Sequence, residues 1–182
     1  MQKRQTLTKL LPAALICAAV LSPAGAAEAK NEITVAVAST FTTMDPWNAT
    51  DTLSQAVAKS FYEGLFKFDR AMNVVPSLAE SAESSPDGMQ HVVHLRRGVK
   101  FHDGTTFTAE AVKANFDRIT TPGSTLKRFF LFENIASLKV LDPYTVRFTL
   151  KRPNSAFINR LAHPSAVMIC PKTVSYTHLT LP

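Results

Sequence analysis

The chain has 182 residues, of which 46% are hydrophobic and 19% are charged, and its formal net charge is +6. This composition is typical of a globular protein with a core, and it excludes a disordered or fibrous chain. The cations form no dense basic run after the first nine residues, so neither nucleic acid nor an acidic membrane surface is indicated as a partner.

The N-terminus has the order of segments found in a cleaved export signal. Basic residues open the chain, an apolar run follows over residues 10–21, and Ala24–Ala26 offers small side chains for cleavage. The apolar run is too short to span a bilayer as a stable helix. We therefore expect residues 1–26 to be a cleaved signal peptide, with cleavage within Ala27–Ala29 or an uncleaved anchor as the alternatives.

The two cysteines predict no disulfide framework. Cys17 lies inside the apolar run and follows Ile16, whereas lipoprotein processing requires a small residue before the cysteine. After export, Cys170 would be alone and could form no intramolecular bridge. We expect a soluble mature protein without a disulfide.

Short elements alternate along the next part of the chain. Residues 33–37 alternate β-branched side chains and predict a strand, which a polar loop follows over residues 39–47. Thr52–Gln55 has the spacing of a capping box, which predicts that Thr52 caps a helix. The predicted inner face of this helix consists of Leu53, Ala56, Val57, Ser60 and Phe61.

The middle of the chain is rich in predicted strands. Residues 65–68 and 74–75 predict two short strands around a turn, and residues 76–81 predict a connector. A strong turn signal at Ser85–Gly88 precedes a strand over residues 90–95, with Val93 and Leu95 on one face.

A second helix and a hairpin follow. Thr108 is the predicted N-cap of the helix. The predicted inner stripe consists of Ala111, Val112, Asn115, Phe116 and Ile119. Residues 135–140 and 144–150 predict a hairpin, whose second strand points Val146, Phe148 and Leu150 inward.

The last predicted elements are a short helix over residues 155–161 and a buried strand over residues 166–170, which Pro171 stops. The order of elements predicts an α/β or α+β fold. The sequence has no glycine fingerprint for dinucleotides and no phosphate loop.

Candidate catalytic and metal-binding residues are sparse. His91 and His94 are three apart on a predicted strand, so their side chains point to opposite faces and cannot share an ion. No pair of histidines has the helical spacing of a zinc site, and no Gly-x-Ser-x-Gly elbow indicates a Ser-His-Asp hydrolase. We expect no catalytic residue, no metal and no cofactor.

Polar side chains are concentrated between the first strand and the first helix. Thr42, Thr43, Asp51 and Thr52 lie where α/β proteins bind ligands, although a solvated loop with a helix cap is the alternative. Trp47 offers either a ligand platform or a core side chain, and we favour the core. The Asp103–Gly104 pair favours a turn over a ligand contact, because Asp bonds backbone N–H groups and Gly accepts positive φ.

Four motifs in order resemble those of one known family. The segment His94–Val112 is similar to the signature of family 5 extracellular solute-binding proteins, the peptide- and nickel-binding components of ABC importers. Met44–Pro46, Tyr62–Phe66 and Leu78–Ser81 stand where this family has its other short motifs.

Within the family, the chain resembles glutathione-binding members most. The segments that carry this likeness are Phe41–Pro46, Asp51–Tyr62, Val112–Asn115, Ser155–Asn159 and Leu161–Pro164. The resemblance implies a monomeric periplasmic protein that binds glutathione and delivers it to a permease in the inner membrane, without catalysis. The alternatives are a dipeptide, an oligopeptide or a nickel chelate as ligand and, from another class, a secreted hydrolase.

The resemblance also implies the domain organisation. It implies the N-terminal lobe of a two-lobed periplasmic binding protein, with an extra β-rich subdomain. We assign residues 27–60 to the start of this lobe and residues 61–174 to the extra subdomain. Family members are much longer than this chain. Residues 175–182 do not resemble the family, so we expect them to be a non-native tail.

The ligand implied by the resemblance requires hydrogen-bond donors for its carboxylates and an acid for its amine. We expect the ligand contacts in the segments before and at the start of the first helix. The candidates there are Phe41, Thr42, Thr43, Asp51 and Thr52. Arg128 is a further candidate for a carboxylate contact, with an ordinary surface charge as the alternative.

Overall fold

The computed structural model describes residues 34–174. In chain order the elements are α1 (Thr52–Ala58), β1 (Phe66–Phe68), β2 (Val74–Pro76), β3 (Ala79–Ser84), β4 (Gln90–Leu95), α2 (Ala109–Thr120), α3 (Phe129–Phe132), β5 (Ile135–Asp142), β6 (Thr145–Leu150), α4 (Phe157–Leu161) and α5 (Pro171–Val174). They belong to the unit that begins at Val37, and residues 34–36 are exposed coil. The predicted signal peptide and the predicted tail lie outside the described residues.

A four-stranded antiparallel sheet in the order β3-β4-β6-β5 forms the centre of this unit, and β1 and β2 form a separate hairpin. The central strands alternate as the sequence predicts, since Val93, Leu95, Val146, Phe148 and Leu150 are all buried on one face. The predicted stripe of α2 is also buried throughout and covers that face. Mixed helices and antiparallel strands confirm the α+β interpretation.

Aromatic rings fill the space between α2 and the sheet. Phe116 makes edge-to-face contacts with Trp47, Phe132 and Phe148, at centroid distances of 5.4, 5.5 and 5.0 Å. Such pairs add about 0.5–1.5 kcal/mol each beyond the area they bury. Trp47 is 1% exposed, so it is a core side chain and the interpretation as a ligand platform is wrong.

The predicted connector at residues 76–81 is wrong from Ala79 onward, where β3 begins. This strand is polar apart from its alanines, yet it pairs with β4 along its length. It lies at the edge of the sheet, and an edge strand needs only a few buried side chains, such as Ala79. The neighbouring strand therefore specifies β3 more than its own residues do.

Two predicted strands are not strands in the structure. Residues 34–37, the described part of the predicted strand 33–37, pair with no described strand, and Val35 and Val37 are exposed. Residues 166–170 are largely buried, as expected, but they make one isolated bridge, between Val167 and Gly64. Pro171 begins α5 and does not simply stop a strand.

A side chain replaces the missing strand partner at Ile169. Asn115 donates from Nδ2 to the Ile169 oxygen at 2.8 Å and accepts the Ile169 N–H at Oδ1 at 3.0 Å. The Met168 N–H bonds the Glu63 oxygen at 2.8 Å. Because these groups satisfy the buried backbone, the segment needs no sheet ladder.

The Asp103–Gly104 pair forms a turn, as predicted. Asp103 Oδ1 accepts the Thr105 N–H at 2.9 Å, and Gly104 has φ of 83°. Within residues 34–174, no helix combines the length and the apolar content that crossing a bilayer requires.

Candidate functional site

The loop before α1 is organised around the carboxylate of Asp51. Its Oδ1 atom accepts the Ser54 N–H at 2.7 Å, and its Oδ2 atom accepts the Thr42 hydroxyl at 2.6 Å. Asp51 is therefore the N-cap of α1, and the predicted capping by Thr52 is wrong. The extended backbone of Asp51 lets one carboxylate serve both the helix and the loop.

These hydrogen bonds hold the pKa of Asp51 down at about 2, with the Thr42 hydroxyl as the largest cause and the Ser54 N–H next. Asp51 is consequently an anion at every physiological pH. The Thr52 side chain is exposed beside it, and its hydroxyl makes no hydrogen bond with a residue of the described part.

Ser54 joins the loop to the buried face of α1. Its hydroxyl oxygen accepts the N–H groups of Thr42 at 2.9 Å and Thr43 at 3.4 Å. Ser54 and Ala58 are the buried residues of this helix, so the predicted inner face is wrong. The helix turns a polar face inward because the loop backbone needs hydrogen-bond partners there. The sequence offered no signal for this role of Ser54.

An ion pair anchors the same loop to α2. Arg118 binds Asp45 through both terminal nitrogens, at 3.1 and 2.5 Å, and Asp45 is 5% exposed. The Asp45 N–H donates to Thr43 Oγ1 at 3.0 Å, which places the Thr43 side chain. A charged pair with fixed bidentate geometry gives the loop a defined position.

Arg128, which precedes α3, also bonds the backbone of this loop. Its Nε donates to the Ala49 oxygen at 2.8 Å, and its backbone N–H donates to the Trp47 oxygen at 3.2 Å. Its terminal guanidinium nitrogens make no hydrogen bond with a residue in the range 34–174. They therefore retain their donors for another partner.

A histidine near Arg128 is held neutral. Burial is the main reason that the pKa of His163 lies below its ordinary value, and the charges of Arg128 and Lys59 lower it further. His163 Nδ1 accepts the Ser165 N–H at 3.0 Å, which requires an unprotonated nitrogen. Arg128 and Lys59 thus place two positive charges around a neutral ring.

The structure brings Thr42, Thr43, Asp51 and Arg128 to one loop, with Thr52 beside them. Phe41 is half-buried at the start of this loop. We call the segment 41–52 together with Arg128 the Asp51 loop. Ser54 and the Asp45–Arg118 pair support it and were missed by the sequence interpretation.

Two cavities lie elsewhere on the unit, and none of the six predicted residues lines either. The Phe101 cavity has a volume of about 400 Å³ and the His163 cavity about 370 Å³. Tyr62 and Glu63 line both cavities. In the part of the chain that the structure describes, no three His, Cys, Asp or Glu residues group as a metal site would require.

Comparison with known proteins gives a consistent family assignment. The model of the family described as bacterial extracellular solute-binding proteins, family 5 Middle, matches residues 73–177. The glutathione-binding protein GsiB of Escherichia coli O1:K1 / APEC is 57% identical over 148 residues, which cover 81% of this chain and 29% of that protein. The chain spans about three tenths of the length of the curated relatives it matches.

Solved structures of similar fold are less similar in sequence. The PBP AgaA of A. tumefaciens R10, in complex with agropinic acid, has a TM-score of 0.71 at 33% identity, over 75% of this chain and 28% of that one. The substrate-binding domain of an oligopeptide ABC transporter of Bacillus anthracis str. Ames has a TM-score of 0.69 at 26% identity, over 75% and 29%. NikZ of Campylobacter jejuni, in complex with Ni(L-His), has a TM-score of 0.65 at 29% identity, over 82% and 29%.

Proposed function

The chain belongs to the bacterial extracellular solute-binding proteins of family 5, and from this premise we propose that it is the glutathione-binding component of an ABC importer. The observation that carries the proposal is the 57% identity with a protein named for glutathione binding. That value is well above the 26–33% identity found with the three solved structures described above. The binding protein would deliver glutathione to a permease in the inner membrane.

The Asp51 loop is the part of this chain that we propose contacts the ligand. Glutathione carries two carboxylates and one ammonium group, and charged groups of this kind bind best to opposite charges that also donate or accept hydrogen bonds. The terminal nitrogens of Arg128 suit a carboxylate. The anionic Asp51 suits the ammonium group, and the unbonded hydroxyl of Thr52 suits a peptide carbonyl.

Ligand contact by Phe41, Thr42 and Thr43 is part of the same proposal. The N–H groups of Thr42 and Thr43 already donate hydrogen bonds to the Ser54 hydroxyl. Their contacts to the ligand would therefore come from their side chains and carbonyl oxygens. Phe41 would pack against the apolar part of the tripeptide. Because the Asp45–Arg118 pair and Ser54 fix this loop, the contacts would be preorganised, which reduces the entropy lost on binding.

The remaining parts of the proposal concern the whole protein. The protein would close around its solute between two lobes, and the permease would recognise the closed form, whose population the ligand raises by binding it more tightly. Residues 1–26 would direct export to the periplasm, and the protein would catalyse no reaction. The boundary at residue 60, between the start of the first lobe and its extra subdomain, stays a prediction.

The test uses the complete product of the source gene. We expect glutathione to raise its melting temperature, because a ligand that binds only the folded state stabilises that state. Glutathione should be recovered unaltered by chromatography. Arg128→Gln should reduce the stabilisation, whereas Lys139→Gln, which removes an exposed cation from β5, should not.

Other ligands of the family are the second candidate, because similar structures are named for an oligopeptide transporter and for Ni(L-His). Stabilisation by dipeptides, or by nickel with histidine, in the absence of an effect of glutathione would support this candidate. Conversion of glutathione into products would contradict both and favour a secreted hydrolase.

A further inference from the structure

The Phe101 cavity is a preformed depression with an apolar floor. Leu78, Phe107, Met168 and Ile169 form that floor and are all less than a tenth exposed. The half-buried side chains of the walls are Phe61, Tyr62, Val99 and Phe101. A volume of about 400 Å³ with aromatic walls falls in the range of cavities that bind small molecules.

Backbone hydrogen bonds fix the wall that carries Phe101. The Phe101 N–H bonds the Thr105 oxygen at 2.8 Å, and the Phe107 N–H bonds the Val99 oxygen at 3.0 Å. The Phe101 ring also stands edge to face on Phe107, at 5.8 Å between centroids. The cavity is therefore shaped by the fold and not by mobile side chains alone.

Charges of both signs stand around this apolar floor. Asp103 is compensated, because Lys172 lies 3.3 Å from its carboxylate and Thr105 donates to it. Lys100 and His102 are exposed, and neither forms an ion pair or a side-chain hydrogen bond with a residue of the described segment 34–174. Glu63 also lines the cavity, and its carboxylate accepts the Ser77 hydroxyl at 3.4 Å.

We propose that the Phe101 cavity binds an apolar α-amino acid, with the side chain on the floor, the carboxylate at Lys100 and His102, and the ammonium group at Glu63. An exposed ammonium group and an exposed carboxylate, neither of them in an ion pair with a described residue, lie beside an apolar floor and complement a zwitterion with an apolar side chain. This site would be additional to the Asp51 loop. It does not depend on the proposed binding of glutathione.

Cys170 offers a direct measure of whether the cavity is occupied. It lines the cavity as a free, partly exposed thiol. The only other cysteine in the sequence is Cys17, so Cys17→Ser leaves a single thiol to modify. A ligand in the cavity should block a neutral maleimide from reaching Cys170, and labelling in urea gives the rate for the fully accessible thiol.

The experiment measures this labelling rate in the 182-residue Cys17→Ser chain with three probes of matched size. We expect L-phenylalanine to slow labelling at lower concentration than 3-phenylpropionate, which lacks the ammonium group, or phenethylamine, which lacks the carboxylate. Each charged group of phenylalanine should lower the concentration needed for half-maximal protection by up to about fivefold, which is the effect of an exposed ion pair.

Two variants test which side chain binds each charged group of the ligand. Lys100→Gln should reduce the advantage of phenylalanine over phenethylamine, with His102 left to bind the carboxylate, and Glu63→Gln should abolish its advantage over phenylpropionate. Lys139→Gln, outside the cavity, should change neither. Equal protection by all three probes, no protection by any, or variants that behave like the control would overturn the proposal. So would a thiol that reacts only in urea, since polypeptide would then already cover the cavity.

Discussion

Asp51 fixes the start of α1 and the loop before it with one side chain. Its two carboxylate oxygens serve different elements, Ser54 in the helix and Thr42 in the loop. We expect Asp51→Ala to lower the melting temperature by a few degrees, because an N-cap and a loop contact are lost together. Thr52→Ala, one residue further on, should have little effect because Thr52 caps nothing.

The contribution of Asp51 should depend on pH in a defined window. The pKa of Asp51 is about 2 in the folded protein, whereas an aspartate in an unfolded chain has its ordinary value of 3.8, so the folded state favours the anion. The stabilisation is therefore complete above pH 3.8 and is lost as the pH falls through 2. Melting curves of the original chain and of Asp51→Ala should converge over this range. A constant difference down to pH 2 would contradict the assignment.

His91 should make the protein less stable as the solution becomes mildly acidic. Burial lowers the pKa of this fully buried side chain below its ordinary value of 6.5, and its Nε2 atom has no hydrogen-bond partner among the described residues. Below pH 6.5 the unfolded chain binds a proton that the folded chain resists, so stability falls until the pH passes the folded pKa.

Replacement of His91 should flatten this dependence. We expect His91→Gln to reduce the loss of stability between pH 7 and pH 5, measured by urea unfolding at a series of pH values. His163 has a pKa shift in the same direction, so the double variant with His163→Gln should be flatter still. A loss of stability that is unchanged in both variants would show that other groups dominate.

At the scale of elements, the sequence correctly predicts the helices and strands whose apolar side chains repeat with a clear period. The alternation in β4 and β6 and the stripe of α2 are of this kind, because each buries one whole face. The edge strand β3 has few apolar side chains and depends on β4. The segment 166–170 has a strand-like apolar pattern, but a side chain of α2 and the backbone near Gly64 take the place of a neighbouring strand.

The sequence predicts the position of the candidate loop but not the residues that support it. The sequence predicts a group of polar residues before and at the start of α1, and in the structure Thr42 donates to Asp51 there. Arg128 bonds the same loop at Ala49. That these residues contact a ligand stays a prediction. Ser54 could not be identified, because a serine in a helix has no distinguishing pattern. Arg118 pairs with a residue far away in the sequence, and a long-range pair leaves no local signal.

Asn115 joins α2 to the segment 166–170 and should be costly to replace. It is 1% exposed and bonds both backbone groups of Ile169. We expect Asn115→Ala to lower the free energy of unfolding by about 2–4 kcal/mol, because two buried groups lose their partners. Urea unfolding measures this difference.

Lys113 on the same helix provides the control. It pairs with Asp117 one turn further on, and both are partly exposed. Lys113→Ala should cost less than about 0.5 kcal/mol, as exposed pairs at this spacing do. A similar cost for the two variants would mean that Asn115 does not replace a strand partner.

At the scale of the whole molecule, the described residues provide one organised loop and the two cavities, while the curated relatives are nearly three times as long as the chain. The fold is that of part of a two-lobed periplasmic binding protein. The Asp51 loop would therefore supply only part of the contacts to a ligand bound between lobes. The assignment of residues 27–60 and 61–174 to different parts of the first lobe stays a prediction.

A calorimetric titration of glutathione into the complete product of the source gene tests most directly whether glutathione is the ligand. We predict saturable binding of one glutathione per protein, weakened by Arg128→Gln and unchanged by Lys139→Gln. Absence of binding by glutathione, together with saturable binding of a dipeptide or of nickel with histidine, would contradict the proposed ligand while leaving the family assignment intact.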